Sequence, residues 1–147
     1  MKKIILLGIV LSIAICSFAQ GYTSAQETLR SQISNFLTNK GLNPEKQNDG
    51  LKFKSEGVTY YIEIDKDAKS PMYVRLCRYV KFSETLNKTT VSQNINDYNT
   101  KFGVKVCCQE KSAVISGEMY VTKASDFTYA FDTFLSQIKS AYKELSK

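Results

Sequence analysis

The sequence predicts an α+β domain of two layers: a mostly antiparallel five-stranded sheet with helices on one face, in the order α-β-β-β-α-β-β-α. Three observations carry this. Apolar residues recur at helical spacing near both ends of the chain, in 29–37 and 127–145. Between them run segments that alternate apolar and polar residues, the period of a half-buried strand. Most of these segments follow one another across short turns, which join antiparallel neighbours. A sheet with one apolar face needs one covering layer, and the helical stripes supply it.

The first helix is expected to start at Ser24, with Glu27 completing a capping box. Leu29, Ile33, Phe36 and Leu37 form its stripe, and Gly41 ends it because glycine tolerates the left-handed turn there. Asn43-Pro44 and Asn48-Asp49-Gly50 mark a polar loop. Three strands follow: Leu51 to Ser55, Val58 to Asp65 and Met72 to Phe82, the first two joined at Glu56-Gly57. In the second, Val58, Tyr60, Ile62 and Ile64 share one face and Thr59, Tyr61, Glu63 and Asp65 the other. Arg78 interrupts the apolar face of the third, which predicts a bulge, a strand end or a snorkelling side chain. A middle helix is expected over Glu84 to Tyr98, of poor intrinsic propensity and held by packing of Val91, Ile95 and Tyr98. Val104 to Glu110 and Ala113 to Thr122 form a hairpin. Ser125 is expected to cap the last helix, whose acidic residues lie early and lysines late, as the helix dipole favours. Its stripe comprises Phe127, Phe131, Phe134, Leu135, Ile138, Tyr142 and Leu145.

Residues 1 to 19 read as an export signal. Lys2 and Lys3 precede an apolar run from Ile4 to Cys16, which is shorter than the roughly 20 residues that span a membrane. Ser17 and Ala19 place small side chains three and one positions before a cut at Gln20. A lipoprotein processed at Cys16 is the alternative, disfavoured by the bulky Ile15 before it. The expected location is periplasmic or secreted. The mature chain, 20 to 147, is expected to be one domain without a transmembrane segment. Loss of Lys2 and Lys3 lowers the net charge from +6 to +4, too mild to point to nucleic acid.

Histidine and tryptophan are both missing from the composition. Without histidine there is no Ser-His-Asp or Cys-His nucleophilic arrangement and no histidine-ligated metal. The sequence contains no Gly-rich phosphate loop of the GxxxxGK or GxGxxG type. No cofactor and no metal are therefore expected. Glu63, Asp65 and Asp67 form an E-x-D-x-D run that would offer carboxylates to calcium, but it lacks the glycine and later acid of a calcium loop. It reads as a solvated strand end.

Cys77, Cys107 and Cys108 remain after cleavage of the signal. By alternation Cys108 faces the core with Val104 and Val106, while Cys107 and Cys77 face outward. Cys77 and Cys107 are candidates for a disulfide if their strands are neighbours, worth about 3–4 kcal/mol for a loop of roughly 31 residues. Three free thiols are the equal alternative. The same alternation sends Tyr61, Tyr73, Arg75, Tyr79 and Tyr120 to the outer face of the sheet. Tyrosine and arginine combine apolar area with a polar end and are enriched in binding surfaces, which makes these five the candidate binding residues.

Asn96, Asn99, Lys101 and Phe102, then Val114, Ile115, Glu118, Tyr120 and Val121, then Phe127, Phe131, Phe134, Ile138 and Ala141, together resemble the YbjN family of bacterial sensory-transduction regulators. The likeness runs from about Thr23 to Tyr142. It implies a fold similar to type III secretion chaperones and a non-enzymatic binding or regulatory domain with a protein partner or a homodimer. The export signal departs from the family's cytoplasmic members. Sequence alone thus favours an exported binding domain that contacts a partner, or itself, through the outer face. A small carboxylate- or thiol-dependent enzyme of the cell envelope is the alternative.

Overall fold

The computed structural model describes residues 21–67, 69–84 and 86–146. The expected export signal, residues 1 to 19 with Cys16, lies outside the described residues. The elements are α1 (Ser24–Asn39), β1 (Glu45–Gln47), β2 (Gly50–Ser55), β3 (Val58–Ile64), β4 (Met72–Lys81), α2 (Lys88–Gln93), α3 (Ile95–Phe102), β5 (Lys105–Cys108), β6 (Ser112–Val121) and α4 (Ala124–Leu145). The strands pair antiparallel throughout, in the order β1-β2-β3-β4-β6-β5. The helices pack over one face, and the core lies between the two layers: Leu29, Ile33 and Leu37 of α1 and Phe127, Phe131 and Ile138 of α4 meet Phe53, Tyr60, Ile62, Leu76 and Ile115 of the sheet. The protein is an α+β two-layer fold, as the sequence predicts.

The sheet has six strands rather than five. The extra strand, β1, folds back on β2 around Asn48-Asp49, with Lys46 opposite Leu51 and Gln47 opposite Gly50. Its three residues are all exposed, so no apolar alternation marks them. Gly50 lets the hairpin close against β3. It sits at φ +147°, and a Cβ there would stand 1.8 Å from the Ile62 carbonyl oxygen.

Thr23, not Ser24, caps α1. Thr23 Oγ1 accepts the Gln26 amide at 3.3 Å, and Gln26 Oε1 accepts the Thr23 amide at 2.8 Å. Gln26 is fully buried, and its Nε2 donates to the carbonyls of Asp65 at 2.8 Å and Lys66 at 3.0 Å. The start of the first helix is thereby tied to the end of β3. At the other end of the chain α4 begins at Ala124, one residue before the expected cap. Asp126 satisfies its first amides, accepting from Thr122 N at 3.0 Å and Lys123 N at 3.1 Å.

The expected middle helix is two. Asn87 caps α2, its Oδ1 taking the Thr90 amide at 2.9 Å. Asn94 then leaves helical geometry, and its Nδ2 donates to Thr90 O at 2.8 Å. An asparagine side chain that bonds the backbone competes with the helix in this way, and the β-branched Thr89, Thr90 and Val91 offer little propensity to resist it. Val91 is fully buried, while Ile95, Tyr98 and Phe102 pack partly against the core.

Arg78 snorkels. The β4–β6 ladder runs unbroken from Met72 opposite Val121 to Lys81 opposite Ser112, with no bulge. The guanidinium lies 3.2 Å from the ring centroid of Tyr142 on the last turns of α4. Farther along β6, Gly117 admits α4 at close range, since a Cβ there would stand 2.4 Å from Phe134 Cγ. At the β5 edge, Asn99 of α3 accepts the Val106 amide through Oδ1 at 2.6 Å. No helix among the described residues is long and apolar enough to cross a membrane.

Candidate functional site on the outer sheet face

Among the described residues no helix packs over the second face of the sheet. Strand register sets its side chains in rows. Glu63, Arg75 and Glu118 are direct neighbours across β3, β4 and β6. Tyr61, Cys77 and Ser116 form the next row, extended by Lys105 of β5. Tyr73 and Tyr120 form a third. All five candidate residues, Tyr61, Tyr73, Arg75, Tyr79 and Tyr120, lie on this face.

They divide into two clusters. In the first, Tyr61 and Tyr79 meet edge to face at 5.4 Å. Tyr79 donates its hydroxyl to Glu63 Oε1 at 2.6 Å, and Cys77 donates its thiol to the same oxygen at 3.4 Å. Arg75 donates to Glu63 Oε2 from Nε at 3.0 Å and again from its terminal nitrogen. Burial opposes the charge on Arg75, but the bonds to Glu63 outweigh it and raise the guanidinium pKa further. In the second cluster, Tyr73 and Tyr120 pack at 5.4 Å. Glu118 accepts from Ser116 Oγ at 2.8 Å and Lys105 Nζ at 3.3 Å, and the Tyr73 hydroxyl bonds it as well. Burial pushes both Tyr73 and Tyr79 up, and the neighbouring carboxylates add to it, so both hydroxyls stay protonated donors.

Tyr120 is 67 % exposed and Tyr79 38 %, whereas Cys77, Val114 and Ser116 lie buried beneath their larger neighbours. Beside the first cluster, the β1–β2 turn rises to make a wall. Two depressions of about 400 and 420 Å³ run along it. Both are lined by Asp49 and Glu63, so they adjoin there in a shallow trough, with Tyr61 and Tyr79 lining one depression and Tyr73 and Arg75 the other.

Of the two alternatives for the cysteines, the structure has three free thiols at Cys77, Cys107 and Cys108 and no Cys77–Cys107 bridge. Strand β6 lies between β4 and β5, placing Ser116 opposite Cys77 and Val114 opposite Cys107. Two strand spacings are roughly 9–10 Å, beyond the span of a disulfide. Burial and the Glu63 charge push the Cys77 thiol pKa up, away from the thiolate that a nucleophile needs. The E-x-D-x-D run does not converge either. Glu63 is held by Arg75, and Asp65 Oδ1 accepts the Asp67 amide at 2.9 Å in a local turn. Among the described residues no group of three acidic, cysteine or histidine side chains is placed to hold a metal.

The partnership of Glu63 with the tyrosine cluster is what the sequence reading missed. Alternation places Glu63 beside Tyr61, but only the β3–β4 register brings it opposite Arg75. Glu118 was on the same footing, legible as outward-facing but not as the partner of Lys105.

No protein-family model and no curated protein matches the sequence. Among solved structures, the crystal structure of an uncharacterized protein from Methanothermobacter thermautotrophicus is similar, with a TM-score of 0.57 over 80 % of this chain and 96 % of that one. Identity is 9 %, so the likeness extends to the fold alone.

Proposed function

We propose that the chain is an exported, non-catalytic binding or regulatory domain whose contact surface is the outer sheet face. One observation carries this: a sheet covered by helices on one side among the described residues keeps, on its other side, four tyrosines in two packed pairs, one member of each bonded to a carboxylate, Tyr79 to Glu63 and Tyr73 to Glu118. Rigid tyrosines offer contact area at low entropic cost, a property of binding surfaces. The export signal read from residues 1 to 19 and the resemblance to the YbjN family support the same class of role. An enzyme is the weaker alternative, because the carboxylate at the centre of the face is held by Arg75 and the adjacent thiol is buried and protonated.

The simplest form of this reading is self-association through the face. Light scattering across a concentration series should then show dimers, with Tyr73→Ala and Tyr79→Ala shifting the equilibrium toward monomer. A protein that is monomeric at every concentration, and unchanged by either substitution, would overturn self-association.

A further inference from the structure

The trough on this face has a chemical character that narrows its ligand. Its walls carry three acidic side chains, Asp49, Glu63 and Asp65, and three basic ones, Lys46, Lys66 and Arg75. Five of these six charges are paired within the protein, and Asp65 accepts the Asp67 amide. Arg75 is bound to Glu63, Lys66 Nζ stands 2.9 Å from Asp49, and Lys46 Nζ stands 2.9 Å from Glu27. A phosphate or carboxylate ligand would have to pull Arg75 from Glu63 and leave a half-buried carboxylate uncompensated, which is costly. A cationic ligand would have to part Glu63 from Arg75 or Asp49 from Lys66, and the remaining acid, Asp65, already accepts the Asp67 amide. What the trough does offer is fixed polar atoms between tyrosine rings at each end. Those are complementary to a molecule that is neutral, rich in hydroxyls and apolar on its ring faces. The volume is in the range of small-molecule sites.

From this juxtaposition we infer that the trough between the β1–β2 turn and strands β3 and β4 binds a neutral glycan, its sugar rings against Tyr61, Tyr79 and Tyr73 and its hydroxyls on Glu63, Arg75 and Asp49. The inference rests on the reading of the outer face as a contact surface and adds the ligand class.

Four of the nine tyrosines lie on this face and the chain has no tryptophan, so part of the tyrosine emission reports on it. The mature protein is titrated with neutral hexasaccharides of glucose, mannose and xylose, and with heparin as a polyanion, by tyrosine fluorescence and calorimetry. At least one neutral hexasaccharide should bind saturably. Its affinity should be unchanged from about 0.05 to 0.5 M NaCl, where charge-driven binding falls steeply. Tyr61→Ala should weaken it about tenfold, and Tyr129→Ala, on the far side at 91 % exposure, should not. Binding of heparin alone, with strong salt dependence, would overturn the inference, as would binding that survives Tyr61→Ala. If no hexasaccharide binds while Tyr73→Ala and Tyr79→Ala still disrupt self-association, the glycan assignment fails and the contact surface stands.

Discussion

At Glu118 two effects oppose each other. Burial disfavours its charged form, but the bonds from Tyr73, Ser116 and Lys105 outweigh burial and hold the carboxyl below its usual range. A carboxyl with a lowered folded pKa stabilises the fold above its unfolded value of about 4.3, and that contribution is lost as pH falls through the folded value. Asp126 acts with the same sign, because the amides of Thr122 and Lys123 donate to it. Urea unfolding should therefore show stability falling between pH 5 and pH 3. Glu118→Gln should cost about 1 kcal/mol or less at pH 7, given its partial exposure, and should flatten the acid dependence. An unchanged slope would mean that Glu118 bears no such linkage. The residue scale is also where sequence reading stopped. Periodicity tells which face a side chain takes, and so found Tyr61, Tyr73, Arg75, Tyr79 and Tyr120. It does not tell what stands opposite on the next strand, and so missed Glu63 with Arg75 and allowed Cys77 to be matched with Cys107.

Between elements, the closest approach is that of α4 to β6, where Gly117 meets the ring of Phe134. A methyl group at Gly117 has no room, and the clash is with Phe134 atoms near its backbone, which cannot simply swing away. Gly117→Ala should destabilise by about 1–3 kcal/mol in chemical unfolding. Phe134→Ala removes the obstruction, so the double variant should be less destabilised than the two single costs together. Strict additivity would place the strain elsewhere. The elements that sequence described well are those with strong periodicity: α1, α4 and the long strands β3, β4 and β6. Those it described poorly lack a periodic signal. The three residues of β1 are all polar and exposed, and the split between α2 and α3 depends on one asparagine side chain bonding backwards. The cap lies one residue before Ser24 at α1, at Thr23, and two before Ser125 at α4, at Lys123, because Thr23 with Gln26 at the first and Asp126 at the second satisfy the amides there.

For the whole molecule, layering decides what can be touched. One layer of helices buries the apolar face of the sheet and leaves the opposite face as the broad surface from which tyrosines project. The chain's compartment bears on what meets that surface. Under the proposed export, intact-mass measurement of the protein isolated from its own cells should give a chain beginning at Gln20. A lipid on Cys16 would instead tether the domain to a membrane and overturn that expectation. The edge of the sheet has a consequence of its own. Asn99 fills the outward hydrogen-bonding position of Val106 on the last strand, where a neighbouring molecule would otherwise add its own strand. Copies of the protein are thereby kept from growing into open-ended ribbons at that end, and a crowded population stays a set of discrete particles.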